Sequence, residues 1–256
     1  MNSGRKQRIS DAFGAAANHY DDHAGPQRAA AALVADLAQR QKSTGVERIL
    51  EIGCGTGLLT RHIQARWPGA ELVVTDLSPD MLARTAKGAF VAGTFFTMDG
   101  EAPPFEGEWF DLILSNLAFQ WFDNLPEALE RLTRLLRPGG SLIFSTMGEG
   151  SFARWRQAHE ECGHVAGVPV YPDLAKLRTI LARYEDAFAF DEEFLLSSSS
   201  ARGLVRHLKG IGAVVPSEGR QPLAPKDLRQ VMAAFDEAGG DDIYQLLFGR
   251  ITRPDV

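Results

Sequence analysis

The segment Glu51-Ile52-Gly53-Cys54-Gly55-Thr56-Gly57 sets three glycines at alternate positions behind an acidic residue. Glycine has no Cβ, so such a stretch can turn tightly and bring its backbone close to a ligand. The chemistry this suits is recognition of a nucleotide or nucleoside at a strand-to-helix junction. An ordinary tight turn would use the same residues, so the loop gains meaning only from its downstream partners. Asp76 ends the next apolar run, near the spacing at which doubly wound folds place a carboxylate on a ribose diol. A carboxylate can accept both hydroxyl protons. Asp99 stands in the same relative place after a third run and could accept from the exocyclic amine of an adenine. Taken singly, each is also a common cap or turn residue. The loop is G-x-G-x-G, not the G-x-G-x-x-G of dinucleotide folds, and it carries no Walker lysine.

These residues need a scaffold, and the hydrophobic pattern supplies one. A strand is predicted over 46–52, stopped by the glycines, then a helix over 58–67 closed by Pro68 and Gly69. Strands over 71–75, 95–98 and 110–115 come next, with a helix over 79–87 capped by Ser78 and an amphipathic helix over 125–136. Arg137-Pro138-Gly139-Gly140 reads as a helix stop and turn before a strand over 141–146. An alanine-rich helix over 27–41 precedes this series. Strands alternating with helices imply right-handed crossovers and a parallel sheet, with ligands beyond the carboxyl ends of its strands. The later chain is less regular: helices over 152–165, 201–211 and 225–238, strands over 188–196 and 243–252, and a serine run at 197–200 in a loop or helix start. The expectation is one α/β domain over 1–256. It divides into a helical N-terminal arm (1–42), a binding core (43–147), a cap (148–187) and C-terminal strands and helices (188–256).

With 256 residues, 45% hydrophobic and 23% charged, the chain can bury a large core and is not globally disordered. Its formal net charge of -6 argues against general capture of nucleic acid, which needs a dense basic surface. The two cysteines, Cys54 and Cys162, make neither a disulfide framework nor a metal cluster and suit a reducing compartment. No apolar leader is visible at residues 1–11, and no stretch approaches the ~20 apolar residues of a membrane helix. The six histidines lack any H-E-x-x-H spacing, so no metal and no histidine base is assigned. A soluble cytoplasmic protein with no membrane or nucleic-acid partner is expected.

The glycine loop, Asp76, Asp99 and the segment Leu135-Leu136-Arg137-Pro138-Gly139-Gly140 occur in this order. Over 46–146 the chain resembles the class I S-adenosylmethionine-dependent methyltransferases. The resemblance implies a doubly wound, mostly parallel seven-stranded sheet with the last strand antiparallel. It implies S-adenosylmethionine as donor, S-adenosylhomocysteine as product and no metal. It implies a nucleoside site formed by Glu51, Gly53, Cys54, Gly55, Gly57, Asp76, Leu77, Asp99, Gly100, Ser115 and Asn116.

Further segments narrow the resemblance. Asp11-Ala12-Phe13-Gly14-Ala15-Ala16-Ala17-Asn18-His19-Tyr20-Asp21, Ser115-Asn116-Leu117-Ala118-Phe119-Gln120-Trp121, and His207-Leu208-Lys209-Gly210-Ile211-Gly212-Ala213 with Glu218-Gly219-Arg220 are similar to the malonyl-acyl-carrier-protein O-methyltransferases of biotin biosynthesis. The second segment also recurs in trans-aconitate methyltransferases. Glu51 stands where many members carry aspartate, which keeps the carboxylate, and 163–182 matches no motif. This resemblance implies methyl transfer to the free carboxylate of malonyl-acyl-carrier protein, or of malonyl-coenzyme A. Carboxyl pKa values lie at about 4, so the acceptor is already ionised and no general base is needed. Catalysis then rests on positioning and exclusion of water, with Tyr20, Gln120 and Trp121 as positioning residues. Tyr20, Gln120, Trp121, Arg206, Lys209 and Arg220 are the expected substrate contacts, an arginine fork being suited to a carboxylate. Arg202, Arg206 and Lys209 fall on one helical face, which could dock an acidic carrier protein. Another small acid as acceptor, a binding module without turnover, and a nicotinamide enzyme (disfavoured by the glycine spacing) stay open.

Overall fold

The computed structural model describes residues 3–41, 45–88, 93–196, 198, 200–213 and 223–255. Three helices lead the chain: α1 (Ser3–Ala16), α2 (Tyr20–His23) and α3 (Gly25–Gln41). The alternating series then runs β1 (Arg48–Ile52), α4 (Leu58–Arg66), β2 (Glu71–Asp76), α5 (Pro79–Ala86), β3 (Thr94–Thr97) and β4 (Phe110–Asn116). A 3-10 turn over Phe119–Trp121 leads to α6 (Leu125–Arg134) and β5 (Leu136–Met147). The chain closes with α7 (Ala153–Glu161), α8 (Leu174–Leu181), β6 (Asp186–Leu196), α9 (Ala201–Gly210), α10 (Pro225–Glu237) and β7 (Asp242–Thr252).

The seven strands form one sheet in the order β3-β2-β1-β4-β5-β7-β6. β1 to β5 are mutually parallel, and β7 runs antiparallel between β5 and β6, as the resemblance implied. Strands buried on both faces must be apolar throughout, and Ile49, Leu50, Leu112, Ile113 and Leu114 are fully buried. Their alternation sends Ile49, Leu112 and Leu114 to a core shared with α3, α4 and α10, and Leu50 and Ile113 to a second core under α6 and α8. The order reverses between β1 and β4. Ile52 is paired with both Thr75 and Ser115, so the loops after β1, β2 and β4 leave the sheet at one edge. Hydroxyls lock that edge: Thr75 Oγ1 donates to Glu51 O at 2.7 Å and Ser115 Oγ to Ile52 O at 2.9 Å.

Two regions differ from the sequence reading. Arg137–Gly140 is not a free turn: β5 already begins at Leu136, opposite Phe110, and its register resumes at Ser141 opposite Leu112. Pro138 cannot donate to the ladder and Gly139 takes φ +68, so the intervening residues bulge out while pairing continues on both sides. Gly139 N finds its acceptor in Arg253 O at 3.0 Å. The second difference is α8, inside the stretch that matched no motif. Asp173 caps it by accepting from Lys176 N at 2.6 Å, and Leu177 and Leu181 bury into the second core. Of the segment expected to cover the site, residues 174–181 therefore pack on β6 and β7, while Phe152, Trp155 and the loop from Gly167 to Tyr171 reach the ligand edge. Asp173→Ala is expected to lower the unfolding free energy by about 1 kcal/mol in urea denaturation, the usual worth of such a cap. Among the described residues no helix is long and apolar enough to cross a membrane.

Candidate active site

Past β1 the backbone turns through Gly53, Gly55 and Gly57 at φ +71, +55 and +86. This region costs other residues about 1–2 kcal/mol each. The glycines do different work. A Cβ on Gly53 would stand 2.5 Å from the Ala118 Cβ, whereas one on Gly55 would meet nothing within 4 Å. Gly53 thus lets two loops pass, and Gly55 leaves bare backbone facing an open cavity. Asp76 fixes this bend: its Oδ2 accepts from Gly55 N and its Oδ1 from Ser78 N, both at 2.8 Å. Burial pushes Asp76 up to about 6, opposed by the backbone N–H groups of Ser78, Gly55 and Leu77.

The cavity at the bend is lined by Gly53, Gly55, Asp76, Leu77, Asp99, Gly100 and Asn116 of the expected set. Ile52, Met98, Phe122, Met81 and Ser78 add mostly apolar wall. A carboxylate set for a vicinal diol beside an apolar slot is a donor set that fits a nucleoside. A further part of the wall comes from α1. Lys6 Nζ donates to Asp99 Oδ1 at 3.0 Å and pairs with Glu101, whose carboxylate also accepts from Asp123 N and Asn124 N. Ser10 Oγ donates to Leu77 O at 3.2 Å, and the Phe13 ring meets Trp121 edge-on at 5.4 Å. The sequence reading missed Lys6; a lone lysine near a terminus carries no signal without its partners.

A second cavity of about 340 Å³ adjoins the first, within the range of small-ligand pockets. Phe13, Tyr20, Leu117 and Trp121 line both. Leu117, a non-glycine residue at φ +52, is held in that strained state by two acceptors for its N–H, Ser145 Oγ at 3.0 Å and Ser145 O at 3.2 Å. Asn116 accepts from Ser145 Oγ and donates to Gln27 O, tying the same turn to α3. The turn delivers Trp121 to the shared wall and Gln120 to the second cavity, where the Gln120 amide donates back to Leu117 O at 2.6 Å. Burial, with Asp76 and Asp21 adding, holds the half-buried Tyr20 phenol above its ordinary value, so it remains an O–H donor.

Residues 50–144 match the model of a family described as a methyltransferase domain. The chain is 40% identical over 96% of its length to the biotin biosynthesis bifunctional protein of Bordetella avium, of which it spans only 52%. It is 34% identical over 97% of its length to the malonyl-acyl-carrier-protein O-methyltransferase of Magnetococcus marinus, covering 93% of that protein. The chain belongs to the malonyl-acyl-carrier-protein O-methyltransferase family. Its fold matches that of a solved plantazolicin methyltransferase in complex with S-adenosylhomocysteine at a TM-score of 0.56, with 18% identity and coverage of 97% and 96% of the two chains.

In this member of the malonyl-acyl-carrier-protein O-methyltransferase family, several expected residues stand away from the ligand edge. Glu51 is buried beneath the loop beside Thr60 and is pushed up to about 8 by burial, with Asp76 adding to the rise. Cys54 turns into the core, its thiol pushed up by burial, and Ser115 is spent on Ile52 O. Gly57 opens α4 against Thr85. These four support the cradle from behind and do not line it. Lys209 lines the second cavity from α9, where Arg206 is exposed. Arg220 lies outside the described residues. Among the described residues no cluster of three His, Cys, Asp or Glu could hold a metal ion. Gln27, Phe152, Trp155, Tyr171 and Tyr244 also line the second cavity, and in the sequence they read only as core aromatics and helix positions.

Proposed function

We propose that this chain transfers the methyl group of S-adenosylmethionine to the free carboxylate of a malonyl thioester on acyl-carrier protein, in biotin biosynthesis. The observation that carries this reading is the shared wall of Phe13, Tyr20, Leu117 and Trp121 between a nucleoside cradle and an acceptor cavity. Asp76 would hold the ribose diol, the Gly55 backbone would lie against the nucleoside, and Asp99 would face the adenine amine, with Met98 and Phe122 on the base. Bound there, S-adenosylmethionine supplies an electrophilic methyl group on a sulfonium and leaves as S-adenosylhomocysteine.

The chain's own part is positioning. A malonyl carboxylate is ionised at neutral pH, so no side chain has to remove a proton. Its charge disappears as the ester forms. Apolar walls such as Phe152, Trp155 and Val168 solvate the anion poorly, and they favour that loss of charge. A buried guanidinium would work against it by stabilising the anion more than the transition state. Purified protein, labelled donor and malonyl-carrier protein should give a base-labile methyl ester. Transfer to free diacids, with none to malonyl thioesters, would overturn the acceptor assignment.

Arg202, Arg206 and Lys209 are all exposed on α9, and Lys209 stands at the acceptor cavity. This basic face suits an acidic carrier protein better than a free thioester. Arg206→Glu with Lys209→Glu is expected to raise KM for malonyl-carrier protein about tenfold, the scale of one lost or reversed charge contact. Steady-state kinetics test this, and an unchanged KM removes the docking assignment.

A further inference from the structure

The acceptor cavity holds a polar corner that methyl transfer itself does not use. Tyr244, on β7, is 2% exposed, yet its ring lines the cavity beside Tyr171 and Gln27. Its hydroxyl lies 2.9 Å from His207 Nε2, on α9, and the Gln27 side chain lines the same cavity. Tyr20 and Tyr171 are near enough to act on Tyr244 electrostatically. Among the described residues lining this cavity, Lys209 is the only cation, and it is exposed at the rim. An arginine fork was the expected partner for a short diacid; the described interior offers phenols instead.

We infer that Tyr244, held by His207, is the specificity-determining hydroxyl that selects a carboxylate-bearing acyl group, donating its O–H to a carboxylate oxygen of the acceptor. In this role His207 is assigned the Nε2–H tautomer, so that the ring donates to the Tyr244 oxygen across the 2.9 Å contact and the phenol's own proton is directed into the cavity. Burial, with His23 adding, pushes His207 down to about 4, so the imidazole stays neutral and brings no charge to the corner. Burial likewise raises Tyr171 and Tyr244, which keeps both as donors. Neutral donors can recognise an anion without the deep ground-state stabilisation of a salt bridge, which suits an acceptor that must give up its charge. His207 acts through Tyr244 and is a positioning residue.

This inference rests on the proposed methyltransferase function, and the test separates the two. Dissociation constants of malonyl- and acetyl-carrier protein are measured calorimetrically with S-adenosylhomocysteine present, alongside methyl-ester kinetics. The unmodified chain should prefer the malonyl form. Tyr244→Phe should lose about tenfold of that preference, with KM raised and kcat changed little. His207→Phe should give the same loss, the double variant no further loss, and His207→Gln, whose amide can stand in for Nε2–H, should recover most of it. An undiminished preference in Tyr244→Phe, or additive losses in the double variant, would overturn the pair's role; Tyr244→Phe alone decides the matter if His207→Phe does not fold. Methyl transfer by the unmodified chain without any malonyl preference overturns this inference alone, and absence of transfer overturns both.

Discussion

Asp76→Ala is expected to weaken S-adenosylhomocysteine binding at least about a hundredfold. The side chain holds both sides of the bend, through Gly55 N and Ser78 N. Its removal leaves two donors without acceptors at about 1–3 kcal/mol each, and removes the acceptor proposed for the ribose diol. About 2.7 kcal/mol suffices for two decades of affinity. The pH dependence is a second reading of the same group. Asp76 titrates near 6 in the fold, above the ordinary carboxylate value of 3.8. A carboxylate must be ionised to accept both hydroxyl protons, so affinity should rise with pH through about 6 and level off above it. The sign for stability is opposite. A carboxyl group whose pKa is raised on folding favours the folded state when protonated, so its contribution falls between about pH 4 and 6 and is constant above. Weaker binding at pH 5 therefore cannot come from acid unfolding through Asp76. Calorimetric titration from pH 5 to 8 checks this; Asp76→Asn should abolish the slope, and binding by Asp76→Ala within threefold of the unmodified chain would remove Asp76 from the site.

The cavity at the glycine bend was legible because it is local. Gly53, Gly55 and Asp76 sit where one strand ends and a helix begins, and that junction announces itself through loss of side chains and a change of period. The parallel strands were legible for a related reason: full burial forces unbroken apolar runs. The second cavity is made otherwise. Tyr20 comes from α2, Gln27 from α3, Trp121 from the turn after β4, Lys209 from α9 and Tyr244 from β7. The resemblance had named Tyr20, Trp121 and Lys209, and the structure brings them to one cavity, whereas Gln27 and Tyr244 obey the ordinary pattern of their own elements and only the topology adds them. The α8 helix shows a third case. Its cap and its Leu174, Leu177 and Leu181 spacing were present in the sequence, but no motif drew attention to them. At Arg137–Gly140 a stop signal was correct for α6 and wrong for β5, since proline and glycine end a helix and also make a bulge.

Tyr20→Phe is expected to lower kcat/KM for malonyl-carrier protein about a hundredfold while leaving S-adenosylhomocysteine affinity within a fewfold. The ring stays, so the packing of the shared wall with Phe13 and Trp121 is kept; only the O–H is lost. Tyr20 lines both cavities, where an acceptor carboxylate would have to be oriented. Hydrogen bonds to charged groups are worth about 1.5–3 kcal/mol, and small misplacement of a reacting group can cost a further large factor. Most of the loss should fall in kcat, because binding also draws on the apolar walls, the polar corner at Tyr244 and the basic face of α9. The pH profile separates this role from base catalysis. Tyr20 is held above its ordinary value by burial, with Asp76 and Asp21 adding, so it keeps its proton throughout the neutral range. Rates at saturating donor should therefore be flat from pH 7 to 9 in the unmodified chain and in Tyr20→Phe alike. A rate that climbs with pH in the unmodified chain, and not in the variant, would make Tyr20 a proton acceptor and contradict a mechanism built on an acceptor that arrives already ionised.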